Sequence, residues 1–390
     1  VILQKWCLLH DLDSCLSPTV NDKLQVEHEQ LDKRNTMKER IRIKDIAIRA
    51  GVSVGTVDRV LHDRPNVSKQ ARTKVEKALK EVNYQPNMYA SALAYNKAYT
   101  FYCLLPSNQY ETYWEEIEHG IRRAVDFRRD FHVKVVTLYY QRFNNDSFQE
   151  QCTQCLEACP DGVIMVPTEL ETSMPFAEKL KERNIPLILL DSYIQELEPL
   201  AFFGQDSFHS GCFAAKMLML IARGQKRIML FKQTMHGRVS SRQQSNREIG
   251  LRNYLNENHP EVDIVELDIP IEEDRSRYDE LMEKFFLANP DIKHCITLSS
   301  KAHIVGDFLL RTNRKDVQIM GYDIVEKNAK CMNKGSISFL IAQHAYMQGF
   351  YCVDALVKHK ILKKQIEQKN YMPIELISKE NIAFYHRESI

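Results

Sequence analysis

The chain has 390 residues, 44% of them hydrophobic, which is enough apolar material for two or three packed domains. No run of 18 apolar residues occurs, so a membrane-spanning helix is excluded. The net charge of +1 hides an asymmetry. Residues 37–98 carry 13 Lys+Arg against 6 Asp+Glu, a net of +7, and the remainder sums to −6. A basic segment on an otherwise slightly acidic chain is the electrostatic footprint of a phosphate-binding module.

In chain order, residues 1–36 show neither a helix-period apolar face nor a positively charged start, and so make no secretory signal. They read as a disordered extension, with a start-site artefact or a functional arm as alternatives. The stretch IKDIAIRAGVSVGTVDRVL, 43–61, then predicts two short helices. Ile43, Ile46, Ala47 and Ala50 recur at helical spacing. Gly51 suits the left-handed turn, Val52 plugs the core, and Ser53 is placed to cap the second helix. Val57, Val60 and Leu61 face inward there, leaving Val54, Gly55, Asp58 and Arg59 outside. This is a helix-turn-helix with its second helix as the candidate major-groove reader.

Residues 67–82 predict a third helix capped by Ser68, with Val75, Leu79 and Val82 on its inner stripe and Lys69, Arg72, Lys74 and Lys77 on its polar surface. Tyr84-Gln85-Pro86-Asn87 breaks it, because proline disfavours helix at the preceding residue. Residues 88–94 form an Ala-rich stretch too short to be a stable helix alone, either a hinge helix or a plain linker.

The run from Ile43 to Ala94 resembles the lactose-repressor (LacI/GalR) family of transcription regulators. It carries D-x-A-x-x-A-G-V-S-x-x-T-V-x-R-V-L, a matching third helix, and N-Y-x-P-N before a short hinge. The resemblance is close over about fifty positions and looser, but continuous, to about Val357. It implies DNA contacts from Ser53, Val54, Gly55, Thr56, Arg59, Lys69 and Arg72. It also implies a hinge helix in the minor groove using Asn87, Ala90 and Leu93, where Leu93 wedges between bases. Arg59 suits guanine readout, or alternatively a phosphate clamp. Val54 and Gly55 cannot donate from their side chains, and Asp58 departs from the small hydroxyl residue common there.

Beyond residue 99, strand-length apolar runs alternate with amphipathic helices, the pattern of βαβ units and parallel sheets. The expected strands are 100–106, 132–140, 161–166, 186–190, 227–231, 263–269, 294–298, 317–323 and 337–343. The resemblance implies an α/β, periplasmic-binding-protein-like body of two lobes, 99–224 plus 344–358 and 225–343 plus the tail. The domain plan is therefore 1–36 extension, 37–86 helix-turn-helix, 87–98 hinge and linker, and 99–390 two-lobed effector and dimerisation domain. Among the ten cysteines, Cys152, Cys155 and Cys159 share a helix-like spacing and read as a buried packing face. No second Cys/His pair completes a metal set, and no disulfides are expected. No G-x-G-x-x-G follows the first strand and no Walker loop occurs, so neither a cofactor nor catalysis is expected.

Ligands of open α/β sheets sit at the carboxyl ends of strands, here between the lobes. Candidate groups are Ser107, Tyr113 and Trp114 after the first strand and, by resemblance to the family's pattern, Asp206, Arg247 (in R-x-x-G), Ser300, Lys301, Asp323 (in G-Y-D) and Gln343. Asp206 would serve equally as a helix cap, Trp114 as a core residue and Asp323 as a turn former. At Ser300 and Lys301 the family commonly has an Asn-Asp pair, so the departure counts against a plain neutral sugar and leaves room for an acidic or phosphorylated sugar or, equally, for a different ligand class. The reading is a cytoplasmic, homodimeric (or higher) repressor on a pseudo-palindromic DNA operator, controlled by a small-molecule effector, a sugar or derivative. A transport-type solute-binding protein sharing the lobes is the alternative, and it would need an export signal where the basic helix-turn-helix stands.

Overall fold

A computed structural model of the chain describes residues 42–61, 65–82, 97–107, 113–235, 237–239, 241–271 and 273–385. The extension 1–36 and the hinge stretch 88–94, with Asn87, Ala90 and Leu93, lie outside the described residues. The chain forms two compact units that part between Asn87 and Met88.

The first unit is three helices, α1 (Ile43–Ala50), α2 (Val54–Leu61) and α3 (Lys69–Glu81). They close on one small core of Ile46, Ala47, Ala50, Val57, Val60, Val75 and Ala78. The turn between α1 and α2 rests on Gly51 at φ 64°, where a Cβ would meet no neighbour but would force an unfavourable backbone. The amide of Thr56 donates to Ser53 Oγ at 3.1 Å, and that of Ala71 to Ser68 Oγ at 3.2 Å, so both expected caps are made.

The second unit consists of two α/β lobes of matching plan. The first lobe contains β1 (Tyr99–Pro106), α4 (Tyr113–Phe127), β2 (Val133–Tyr140), α5 (Asn145–Glu157), β3 (Gly162–Met165), α6 (Leu170–Glu182), β4 (Leu187–Leu190) and β5 (Ala201–Gly204). The second contains α7 (Ser207–Ile221), β6 (Arg227–Met235), β7 (Arg238–Val239), α8 (Arg242–Asn258), β8 (Asp263–Pro270), α9 (Arg275–Ala288), β9 (His294–Thr297), α10 (Ala302–Arg311), β10 (Gln318–Tyr322), α11 (Glu326–Lys334) and β11 (Ile337–Ala342). The chain then returns to the first lobe with α12 (Ala345–Lys360) and β12 (Lys369–Tyr371), and ends on the second with β13 (Glu375–Ile377).

The sheet orders are β12-β5-β4-β3-β1-β2 and β13-β11-β10-β9-β6-β7, with β8 also paired to β6. All pairs of the first sheet are parallel, and in the second only β7 and β13 run antiparallel. Helices cover both faces of each sheet, which is why β3, β4 and β5 are apolar on every residue rather than alternating.

Two differences from the expected lobes have physical causes. Helix α7 belongs to the second lobe, because Ala214, Ala215, Leu218 and Met219 pack on Ile228 and Leu230 of β6 and on Leu251 and Leu255 of α8. Hydrophobic periodicity marks a helix but not the sheet it will cover. The tail is divided between the lobes, because β12 pairs with β5 and β13 with β11. Strands β5, β7, β12 and β13 were not among the expected ones, being two to four residues long. Cys152 and Cys155 are buried as expected, but Cys159 lies beyond the end of α5, exposed and at φ 47°.

Each lobe has one close helix pair locked by glycines. A Cβ on Gly120 of α4 would fall on the Tyr346 carbonyl of α12, and one on Gly349 would fall on Ile117. In the second lobe a Cβ on Gly211 of α7 would strike Arg247 of α8, and one on Gly250 would strike Phe208. These contacts set the helix starts that carry Tyr113, Ala345, Ser207 and Arg247 close together at the carboxyl edges of the sheets. At the crossovers, the buried Gln205 amide donates to the carbonyls of Ala342 (3.1 Å) and Pro373 (2.8 Å), so one side chain ties all three connecting segments.

Candidate functional site

In the first unit the face of α2 opposite its core is open. Ser53, Gly55, Arg59 and Lys69 are exposed, Val54 is 49% exposed, and Thr56 and Arg72 are half-buried. Ser53 and Thr56 share a hydroxyl hydrogen bond at 2.9 Å besides the cap, which holds the first turn of α2. An exposed valine, a glycine and an arginine on one short helix can approach bases closely and read a guanine edge.

In the second unit the candidate groups converge where strands end. Asp191 follows β4 and Asp323 follows β10, the topologically equivalent strand of the other lobe. Both stand in the left-handed backbone region, at φ 69° and 67°, a conformation a non-glycine residue keeps only when its surroundings demand it. Tyr113 at the start of α4 donates its hydroxyl to Asp191 Oδ1 at 2.7 Å. Gln343, just after β11, donates its amide to both Asp323 oxygens at 2.9 and 2.8 Å and accepts from Arg247. Arg247 is 2% exposed, donates to the Leu298 carbonyl at 2.9 Å and lies over the Tyr322 ring at 4.2 Å.

The lobes meet through this network. Gln348 of α12 donates to the Gln343 carbonyl at 2.8 Å and to the Tyr113 hydroxyl at 3.2 Å, while Gln243 of α8 donates to the Asp191 carbonyl. Burial pushes the Asp191 carboxyl above its ordinary range, opposed by Tyr113, Arg247 and Arg142. Burial together with Asp191 pushes the Tyr113 phenol well up, so it stays a donor. Two buried polar atoms, Arg247 Nε and Gln348 Oε1, have no hydrogen-bond partner among the described residues.

The remaining expected residues sort differently. Asp206 caps α7 through the His209 amide at 3.0 Å, and it also lines an opening of about 170 Å³ with Asp191, Arg242 and Gln243. Trp114 is 1% exposed, inside the first-lobe core, with the Arg142 guanidinium 5.1 Å from its ring centre; its packing role prevails over a stacking wall. Ser107 is half-buried at the edge of the first lobe, its amide donating to the Tyr140 carbonyl at 2.8 Å. Ser300 and Lys301 line a separate cavity of about 160 Å³ with Gln233, Tyr278, His303 and Lys327. Asp191, Gln243, Gln348, His303 and Lys327 escaped the sequence reading. Only Asp191 left a signal, a carboxylate closing PLILL as Asp323 closes VQIMGY.

Two ligand-binding lobes and a helix-turn-helix on one chain define a ligand-controlled DNA-binding protein. Comparison with known proteins agrees. Residues 101–364 match the periplasmic binding protein domain, and residues 42–87 match the bacterial regulatory proteins, lacI family. A crystal structure described as a candidate LacI transcriptional regulator from Bacteroides fragilis is 41% identical, with a TM-score of 0.72 over 74% of this chain and 100% of that one. The transcriptional regulator RegA of Clostridium saccharobutylicum is 27% identical over 87% of this chain and 98% of its own. The ribose operon repressor of Lactococcus lactis is 24% identical over 89% and 99%. The chain belongs to the LacI family of DNA-binding transcriptional regulators, a family of regulators rather than enzymes.

Proposed function

We propose that this chain is a repressor that grips a pseudo-palindromic operator as a homodimer and changes its grip when a sugar or sugar derivative enters the interlobe cleft. The observation that carries the reading is the equivalent pair of buried carboxylates, Asp191 and Asp323, held with Arg247 at the carboxyl edges of the two sheets. A carboxylate accepts two hydroxyl hydrogens at once, and a guanidinium donates back to ring or hydroxyl oxygens, so the set suits a polyol. Gln343 occupies Asp323 here, and a ligand hydroxyl would take its place. Because Gln343 lies at a crossover and its carbonyl is held by Gln348 of the other lobe, that exchange reaches the hinge. The name of the Lactococcus lactis relative, a ribose operon repressor, points the same way.

On the DNA side, Arg59 reads a guanine while Val54 and Gly55 allow close approach. Ser53 and Thr56 order the helix start, and Lys69 and Arg72 hold phosphates. The family resemblance assigns minor-groove contact to Asn87, Ala90 and Leu93, which lie outside the described residues. The protein acts in the cytoplasm, with its DNA. Ligand and operator influence each other by the same factor, typically about 1–3 kcal/mol.

The test is thermal melting of the chain with a panel of pentoses and hexoses, for wild type, Asp191→Asn and Asp323→Asn. A ligand at a hundred times its dissociation constant stabilises by about 2.7 kcal/mol, and both variants should lose that shift. A sugar that stabilises both variants as strongly as wild type would rule out this cleft as the effector site.

A further inference from the structure

The first lobe has a concavity of about 580 Å³ at the edge of its sheet opposite the cleft. Helix α12 starts at the carboxyl edge, runs back against the parallel strands and delivers its last turn there, beside Leu200, which precedes β5. Leu200 and Ile366 line the concavity together with His359, Lys360, Lys363 and Lys364. Residues 358–364, KHKILKK, hold four lysines and a histidine and no carboxylate.

Basic residues at a helix end commonly serve its last carbonyls and offset the dipole. Here backbone amides take those carbonyls. The amides of Ile361 and Leu362 donate to the Val357 carbonyl at 3.0 and 3.1 Å, and that of Lys364 to the Lys358 carbonyl at 2.8 Å. Lys363 completes the turn at φ 51°, a left-handed position where glycine is the usual choice. Lys358 is committed to Asp354 at 2.6 Å, a carboxylate that Arg128 also holds. Lys360, half-buried, and Lys363, exposed, have no ion-pair partner among the described residues. The carboxylates nearest in sequence stand elsewhere. Glu367 is exposed and outside the lining, and Glu196 and Glu198 line another opening, where Glu198 meets Lys181 at 2.7 Å. The imidazole of His359 feels the same field, held below its ordinary range by burial and then by Lys363 and Lys360.

Two features decide what fits. Lysines on flexible stems present mobile point charges rather than a fixed fork, which suits phosphates spaced along a polymer more than one small ligand held in one pose. Strand β1 begins at the same edge, with Lys97 just before Tyr99, so the chain that carries the DNA-reading helices enters the lobe along this edge. Leu200 and Tyr99 head strands three spacings apart in the sheet, about 14 Å.

We propose that the end of α12, through Lys360 and Lys363, contacts phosphates of the DNA that flanks the operator. Such contacts add affinity and salt dependence without sequence preference. The contact goes beyond the reading helix; it rests on DNA binding by the chain and not on the effector cleft.

The experiment is fluorescence anisotropy of the full chain on two duplexes across a salt series. Both carry a sequence selected from a random pool. One is trimmed to the shortest length that keeps sequence-specific binding, and the other is extended at each end by two helical turns of random sequence, about 20 base pairs. Wild type is compared with Lys360→Gln/Lys363→Gln, with Lys360→Arg/Lys363→Arg, and with Lys315→Gln/Lys334→Gln, which removes the same charge from exposed sites of the second lobe. The extended duplex should bind wild type about three- to tenfold tighter than the short one, and log affinity should fall more steeply with log salt, by about 0.9 per phosphate engaged. The Lys360→Gln/Lys363→Gln variant should lose both gains yet bind the short duplex as wild type does, and Lys360→Arg/Lys363→Arg should keep them. Extension that helps wild type and Lys360→Gln/Lys363→Gln alike, or that helps neither, overturns the contact. So does an equal loss in Lys315→Gln/Lys334→Gln, which would trace the effect to net charge, and so does a loss on the short duplex as large as on the long one. If wild type selects no duplex at all, the DNA-binding function falls, and the contact with it.

Discussion

The two lobes share one topology, one pattern of glycine-locked helices and one carboxylate after the fourth strand, yet their cleft edges differ in charge. In the first lobe Tyr113 and Asp191 bond each other, and Arg142 is placed over Trp114. The second lobe offers Arg247, Gln343 and Asp323, and beside them Lys301, Lys327 and His303. The common plan builds a cleft, and the unshared side chains choose what fills it.

The largest effect is expected where the shared and unshared parts meet. Arg247→Ala removes the cation that faces Asp191 and Asp323 and leaves Gln343 and the Leu298 carbonyl short of a donor. It should cost about 3–5 kcal/mol in urea unfolding and abolish the sugar response. A loss below 1 kcal/mol, on the scale of a surface pair, would mean that the network does not hold the lobes.

Next comes His303, which belongs to the second lobe alone. Its imidazole titrates at about 4 in the fold instead of at 6.5, so between those values the unfolded chain binds the proton first. Stability is then lost as the pH falls from about 6.5 towards 4, by up to about 3 kcal/mol, and His303→Gln should flatten that acid limb. An unchanged pH profile would place the acid sensitivity elsewhere.

The glycine locks test the equivalence of the lobes directly. Gly120→Ala in the first lobe and Gly250→Ala in the second each drive a methyl into a facing carbonyl, and each should cost about 2–3 kcal/mol. Unequal costs would break the parallel. The smallest effect is expected at Gly51→Ala in the helix-turn-helix, where the space is open and only backbone strain opposes the change, about 1 kcal/mol. On the DNA side, Arg59→Ala should relax base preference, whereas Lys69→Ala should weaken binding to all sequences alike, both read by anisotropy on matched and mismatched duplexes.

The helix-turn-helix was legible because its determinants are local. The apolar spacing of Ile46, Ala47 and Ala50, the positive φ of Gly51 and the Ser53 cap all act within a few residues of one another. The lobes were legible as alternating strands and helices, but not in their assignment, since nothing local to residues 207–221 tells which sheet that helix will cover. The cleft shows the same limit. Asp323 and Gln343 were recognisable by their place after strands together with the family resemblance, and Arg247 by the R-x-x-G pattern of that resemblance alone. Asp191 acquires its meaning from Tyr113, 78 residues away, and Gln348 from Tyr113 at a separation of 235. Lys327 stands on a helix that only folding brings to Lys301. Very short strands such as β5 and β12 are fixed by their neighbours in the sheet more than by their own composition.

The most direct test of the whole account is operator binding in the presence of the cleft ligand. With a duplex selected from a random pool, fluorescence anisotropy would be measured for wild type and Asp323→Asn, with and without the sugar that best stabilises wild type in the melts. The account predicts that the sugar changes wild-type operator affinity about 5- to 150-fold, and that Asp323→Asn binds the operator normally but ignores the sugar. A sugar that binds the cleft without changing operator affinity, or a variant that responds as wild type does, would contradict the link between the Asp191–Asp323 cleft and the DNA-reading helix.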